Sequence, residues 1–167
     1  MTEPAVRAAG GSPVLSIVVT IVDGGEVLRR FLDALTHQED APTMEIIVPF
    51  DASVAETANF QDEFPTVHFL DLGVIPTERP IRSAAGQHEL YDRRRAAGLA
   101  ATRGELVAIL EDRGAPRSNW ARSVVRLHQQ PYAVIGGAIE PARGDLLNWA
   151  FYVCDFGRYG LPFTSAT

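Results

Sequence analysis

Two hydrophobic patterns alternate along the chain. Residues 16–22 form a β-branched apolar run without polar alternation, which is typical of a strand buried on both faces. After Asp23-Gly24-Gly25, apolar residues recur at helical spacing, at Val27, Leu28, Phe31, Leu32 and Leu35. A strand, a glycine turn and a helix together predict the opening of a βαβ unit.

The same alternation continues downstream. It predicts strands at residues 44–50, 66–70, 105–110 and 132–139, and helices at 54–64, 89–103, 116–127 and 145–154. In the helix at 89–103, Leu90, Ala97 and Ala101 are expected to face inward. Residues 73–87 contain glycines and prolines with little periodicity, which indicates a surface loop. Strands that alternate with helices predict an α/β fold on a parallel or mixed sheet covered on both faces.

Composition narrows the class of protein. The 167 residues fit one domain, and the net charge of -6 argues against nucleic-acid binding. A single cysteine, Cys154, excludes an intrachain disulfide or a cysteine zinc site. Residues 1–13 predict a flexible N-terminus without a signal peptide, and the longest apolar run is too short for a membrane span. We therefore expect a cytoplasmic protein.

Acidic residues follow three of the predicted strands. Ligands of parallel sheets bind at the carboxyl ends of strands, where this chain places Asp23, Asp51 and the pair Glu111-Asp112. Such acids suit hydrogen bonds to ribose hydroxyls and base nitrogens, and they can hold a divalent cation beside a diphosphate. Each also has a structural interpretation. Asp23 and Asp51 can cap the helices that follow, and Arg113 can pair with Glu111 and Asp112.

The order and spacing of these segments resemble family 2 glycosyltransferases of the GT-A fold. Residues 15–35 are similar to the family's first strand and helix, residues 45–53 to a strand that ends in aspartates, and residues 95–113 to the helix, strand and DXD segment. Residues 145–159 resemble a segment of one bacterial subgroup. The resemblance implies a Rossmann-like three-layer sandwich on a mostly parallel central sheet. It also implies an enzyme that transfers a sugar, with inversion, from a nucleotide-diphospho-sugar to an unknown acceptor.

The resemblance also implies a nucleotide pocket. The backbone from Thr20 through Val22 to Asp23 would line this pocket. Asp51 matches the aspartate that binds the edge of the donor's base.

A second set of residues would lie near the ribose and the diphosphate. Glu111 and Asp112 match the first two acids of the DXD segment, and Asp112 is the candidate ligand for Mn²⁺ or Mg²⁺. Arg95 matches a helix arginine whose guanidinium suits phosphate oxygens. Its neighbours Arg93 and Arg94 are expected on a solvated face.

The chain departs from the family pattern at several positions. Arg113 takes the last DXD position, where it cannot ligate a metal but can itself offset diphosphate charge. Phe50 replaces an aspartate, and Val22 stands where an aromatic often stacks on the base. The family's acceptor base lies further downstream than Thr167. We therefore interpret residues 14–167 as a nucleotide-sugar-binding domain without the usual C-terminal acceptor part.

These departures keep a second hypothesis open. The chain can be a non-catalytic binding or assembly module that retains the fold, with an exposed apolar face that forms a homodimer. Other doubly wound domains are disfavoured. The first glycine turn lacks the G-x-G-x-x-G pattern of dinucleotide binding, and the chain has no lysine, which a receiver domain needs.

Overall fold

The computed structural model describes residues 11–141 and 144–160. Most of the predicted flexible N-terminus, residues 1–10, lies outside this part of the chain. Contacts divide the chain into two compact units, Met1–Gln129 and Gln130–Thr167.

The first unit contains the sheet and most of the helices. In chain order its elements are β1 (Leu15–Thr20), α1 (Gly25–Thr36), β2 (Met44–Phe50), a 3-10 segment (Ala52–Phe60), β3 (Val67–Asp71), α2 (Ala84–Ala100), β4 (Leu106–Glu111) and α3 (Trp120–Leu127). The second unit contains α4 (Leu146–Asp155) and a short 3-10 turn (Gly157–Tyr159).

The four strands form one parallel sheet in the order β3-β2-β1-β4. β1 lies in the middle, with Leu15 opposite Met44 of β2 on one side and opposite Leu106 of β4 on the other. All six residues of β1 are buried, as its uninterrupted apolar run predicts. The predicted α/β fold with a parallel central sheet is confirmed.

Helices cover both faces of the sheet. On one face, α1 packs against alternate residues of β1 in a core of Leu15, Ile17, Val19, Leu28, Phe31, Leu32 and Leu35. On the other face, α2 lies so close that a Cβ added at Gly98 would stand 2.5 Å from Val18 Cγ1 and 2.9 Å from Pro49 Cγ. The predicted three-layer arrangement is therefore present in the first unit.

Helix α2 differs from its prediction in two respects. It begins at Ala84 rather than at residue 89, because Ser83 caps it by accepting a hydrogen bond from the Gly86 amide at 3.1 Å. Its buried residues are Gly86, Leu90, Arg94 and Gly98, spaced four apart, instead of the predicted alanines. The inward face of α2 was predicted from its apolar positions alone, and this prediction was wrong because the inward face includes Arg94.

The loop before α2 is fastened to that helix. The Glu89 carboxylate accepts hydrogen bonds from the backbone amides of Glu78, at 2.9 and 3.0 Å, and of Arg79, at 3.4 Å. The Pro80 carbonyl packs against Gly86, where an added Cβ would overlap the oxygen. Because α2 begins at Ala84, only residues 73–83 of the predicted 73–87 loop lie outside a helix or strand.

The predicted fifth strand is wrong. Residues 132–139 belong to no strand in the structure. Pro131 immediately precedes this segment and the pair Gly136-Gly137 interrupts it. Both residue types weaken a strand, because proline lacks a ladder donor and glycine has no side chain to pack.

The predicted final helix is confirmed as α4. Asp145 caps it by accepting a hydrogen bond from the Asn148 amide at 3.0 Å. Trp149 and Tyr152 meet edge to face at 5.6 Å, while Leu146 and Phe151 are exposed. Among the described residues, no helix combines the length and the apolar character needed to cross a membrane.

Candidate functional site

The turn between β1 and α1 depends on two glycines. Gly24 and Gly25 have φ angles of 67° and 50°, a region that side chains with a Cβ rarely adopt. The turn therefore brings three consecutive backbone amides, those of residues 22–24, to the carboxyl edge of the sheet.

Asp112 holds these amides in place. Its carboxylate accepts hydrogen bonds from Val22 at 3.0 Å, from Asp23 at 3.2 and 3.3 Å, and from Gly24 at 2.7 Å. The Asp112 amide in turn donates to the Thr20 carbonyl at 3.2 Å, which continues the pairing of β1 with β4. Asp112 is completely buried. Both carboxylate oxygens are therefore bound to the protein's own backbone.

Arg113 binds Asp23 in a bidentate ion pair. Its Nε and Nη2 donate to the two carboxylate oxygens at 3.0 and 2.8 Å. The hydrogen bond from Arg113 holds the pKa of Asp23 below its usual range and raises that of Arg113. The ion pair of Arg113 is therefore with Asp23 instead of the predicted one with Glu111 and Asp112, although the nearby charge of Asp112 also raises the pKa of Arg113. Side-chain exposures of 59% and 42% leave this pair open to exchange with a ligand.

Arg95 lies between the tips of β1 and β4. Its Nη1 donates to Asp92 at 3.1 Å and its Nε to Thr20 Oγ1 at 3.4 Å, and its Nη2 is 3.9 Å from Glu111 Oε1. The side chain is 30% exposed and Glu111 is 57% exposed. The structure thus brings together three of the predicted site residues, Thr20, Arg95 and Glu111.

Asp51 lies in a buried ion pair with Arg94. Arg94 Nε donates to Asp51 Oδ2 at 2.5 Å, and the Ser53 amide donates to Asp51 Oδ1 at 2.6 Å. The remaining Arg94 nitrogens donate to Ser53 Oγ at 2.8 Å and to the Ile21 carbonyl at 3.4 Å. Burial acts to raise the pKa of Asp51, but the hydrogen bonds from Arg94 and Ser53 outweigh it and lower the pKa.

The expectation that Arg94 lies on a solvated face is wrong. Its side chain is 2% exposed, and that of Asp51 is 3% exposed. Sequence reasoning missed this pair, although two signals point to it. Arg94 stands four residues after the buried Leu90, and Asp51 ends a strand buried on both faces.

Tyr91 also lies beside the buried Arg94, although it was not among the site residues predicted from the sequence. It is half-buried on α2, with the Arg94 guanidinium carbon 6.0 Å from its ring centroid. Its ring also meets that of His88 edge to face at 6.1 Å.

The described residues do not fit a divalent cation. No group of three histidine, cysteine, aspartate or glutamate residues within residues 11–141 and 144–160 is arranged to hold a metal. Asp112, the predicted ligand, uses both oxygens on backbone amides, and the adjacent Arg113 has no lone pair to donate.

Comparison with known families agrees with this architecture. The family model described as Glycosyl transferase family 2 matches residues 16–159 of the chain. The comparison with curated proteins found no match. The family match covers the sheet, the acidic strand tips and α2, and it supports a glycosyltransferase function in general. The chain therefore belongs to glycosyl transferase family 2.

Proposed function

We propose that this chain is a glycosyltransferase that binds a nucleotide-diphospho-sugar at the carboxyl edge of the sheet and transfers the sugar with inversion. One observation carries the proposal. Two partly exposed guanidiniums, Arg95 and Arg113, flank the tips of β1 and β4 in a family 2 domain. A diphosphate is the ligand that such a pair of cations suits best.

Each guanidinium has a carboxylate partner that phosphate oxygens can replace. Arg113 would exchange Asp23 for phosphate, and Arg95 would exchange Asp92. Both arginines carry parallel N–H donors, which match two oxygens of one phosphate group. The backbone of residues 20–23, held by Asp112, would line the nucleotide pocket beside them.

The same cations would assist the chemistry. When the bond between the sugar and the diphosphate breaks, negative charge develops on the departing diphosphate. Fixed guanidiniums stabilise that charge in the transition state, the task that a metal performs in many transferases. An inverting transfer requires the acceptor hydroxyl to attack from the opposite face of the sugar. The acceptor and its base would therefore lie across the sugar from Arg95 and Arg113.

Calorimetric titration with UDP, GDP and dTDP, with and without manganese, tests the proposal. We expect binding of at least one of them without metal, and no more than about a twofold change when manganese is added. Arg95→Met and Arg113→Met should each weaken diphosphate binding about tenfold or more, since a charged hydrogen bond is lost. Arg122→Met on α3, whose partner is Asp40, is the matched control. If none of the three nucleotides binds, the proposal is wrong.

A non-catalytic module is the second candidate. The observation that favours it is that Asp51 and Asp112, the acids matched to the base and the diphosphate, are both buried in contacts with the protein itself. If the chain is such a module, no nucleotide should bind in the same titration. The chain should also form a homodimer, which light scattering measures directly.

A further inference from the structure

We infer that Arg94 determines the base preference of the donor pocket, because it withholds Asp51 from the base. This inference rests on the proposed function and adds a specificity to it. In this pocket, uridine and cytidine nucleotides would bind with similar affinity.

The geometry of the Arg94–Asp51 pair carries the inference. One Asp51 oxygen binds Arg94 Nε at 2.5 Å and the other binds the Ser53 amide at 2.6 Å, and the side chain is 3% exposed. A base that approaches the tips of β1 and β2 therefore meets a neutralised and covered carboxylate.

Arg94 is itself held from several sides. It donates to Asp51 at the end of β2, to Ser53 in the following 3-10 segment, and to the carbonyl of Ile21 after β1. Among the described residues, every buried side-chain nitrogen and oxygen has a hydrogen-bond partner. A base that recruited Asp51 would leave a buried guanidinium without its counter-ion, which is costly. The pair therefore stays closed when a nucleotide binds.

The hydrogen-bonding groups of the bases explain why a covered Asp51 affects the choice between uracil and cytosine. A free carboxylate accepts the N3–H of uracil but repels the N3 lone pair of cytosine. A site built on such a hydrogen bond rejects an analogue that lacks the donor by orders of magnitude. Without the carboxylate, contacts with the base faces remain, and those distinguish bases only weakly.

Titration with UDP and CDP isolates the base, because the two nucleotides share the ribose and the diphosphate. We expect the wild-type dissociation constants to differ by less than about fivefold. Asp51→Asn keeps the side-chain shape and should leave this ratio unchanged. Arg94→Met keeps much of the buried volume and releases Asp51, so it should favour UDP by about tenfold. Arg93→Met, which alters an exposed neighbour, is the control and should leave the ratio unchanged.

The outcomes separate the inference from the proposed function. A wild-type protein that binds UDP at least about thirtyfold more tightly than CDP, with the preference lost in Asp51→Asn, overturns the inference while the proposed function stands. An Arg94→Met protein that folds, as judged by circular dichroism, but keeps the wild-type ratio also overturns it. If Arg94→Met does not fold, the wild-type and Asp51→Asn ratios decide. If neither UDP nor CDP binds, the inference is overturned, and the proposed function is overturned with it only if GDP and dTDP also fail to bind.

Discussion

At the scale of single residues, two of the acids at the strand tips bind groups of the protein itself and so stabilise the fold. Asp112 binds three consecutive amides of the turn after β1, and Asp51 binds the buried Arg94. The Glu111 side chain is 57% exposed, and Asp23 is paired with the exposed Arg113. The accessible acids and the structural acids are therefore different residues, even though they are neighbours in sequence.

Asp112→Ala should lower the free energy of unfolding by about 3 kcal/mol, because three backbone amides that bind this buried carboxylate lose their acceptor. Glu111→Ala, which changes the exposed neighbour, is the matched control and should cost less than about 1 kcal/mol. Urea denaturation followed by circular dichroism measures both. Equal losses for the two variants would show that the Asp112 carboxylate does not hold the turn.

The Asp51–Arg94 pair should make stability depend on pH in the acid range. The folded pKa of Asp51 lies below that of the unfolded chain, about 3.9, so the unfolded state binds more protons as the pH falls. The contribution of Asp51 is therefore complete above about pH 4 and is lost as the pH falls through the folded pKa.

Asp51→Asn tests this dependence. It should cost about 3 kcal/mol near neutral pH, because one partner of a buried pair is removed, and the difference from wild type should shrink between about pH 5 and pH 2. Asp62→Asn, at an exposed position, is the control. A difference that stays constant down to pH 2 would contradict the assigned ion pair.

At the scale of elements, α2 connects the sheet to the candidate site. One face carries Gly86, Leu90, Arg94 and Gly98 at four-residue spacing into the protein. Arg95 follows on the adjacent, partly exposed side and reaches Thr20. The close approach at Gly98 fixes how far these arginines stand from the strand tips.

Gly98→Ala should destabilise the protein by about 1 kcal/mol. The added Cβ would stand 2.5 Å from Val18 Cγ1, and such overpacking outweighs the gain in helix propensity. Gly114→Ala makes the same change where nothing lies within 4 Å of the new Cβ, and it should be nearly neutral.

A double-mutant comparison by thermal denaturation tests the contact with Val18. Val18→Ala should lower stability less in the Gly98→Ala background than alone, since it removes the clashing methyl. Purely additive effects would argue against this contact.

At the scale of the whole molecule, ligand binding should appear as added stability. At about 100 times its dissociation constant, a nucleoside diphosphate should raise the free energy of unfolding by about 2.7 kcal/mol. A chelator should leave both the midpoint and this increase unchanged, since the described residues do not fit a metal. Differential scanning calorimetry measures both quantities. A chelator that abolished the increase would contradict the assignment of the diphosphate to Arg95 and Arg113 alone.

The sequence by itself determined the scaffold. The β-branched runs at β1 and β2, the helical spacing of α1, the capping aspartate of α4 and the glycine turn after β1 each specify local structure through short-range physics. Because parallel strands bring their carboxyl ends to one edge, the acids that follow β1, β2 and β4 lie at that edge of the sheet, as their positions in the sequence predict.

Only the tertiary structure decided which of these side chains are free to bind a ligand and which are bound within the protein. Pairing between residues far apart in sequence, such as Arg94 with Asp51 or Asp112 with the turn after β1, depends on the distance between α2 and the sheet and on the register of β1 with β4. The glycine-interrupted run at 132–139, which in sequence resembles a strand, also formed none. Local pattern predicts the elements, but burial and long-range hydrogen bonds decide which charges remain for a ligand.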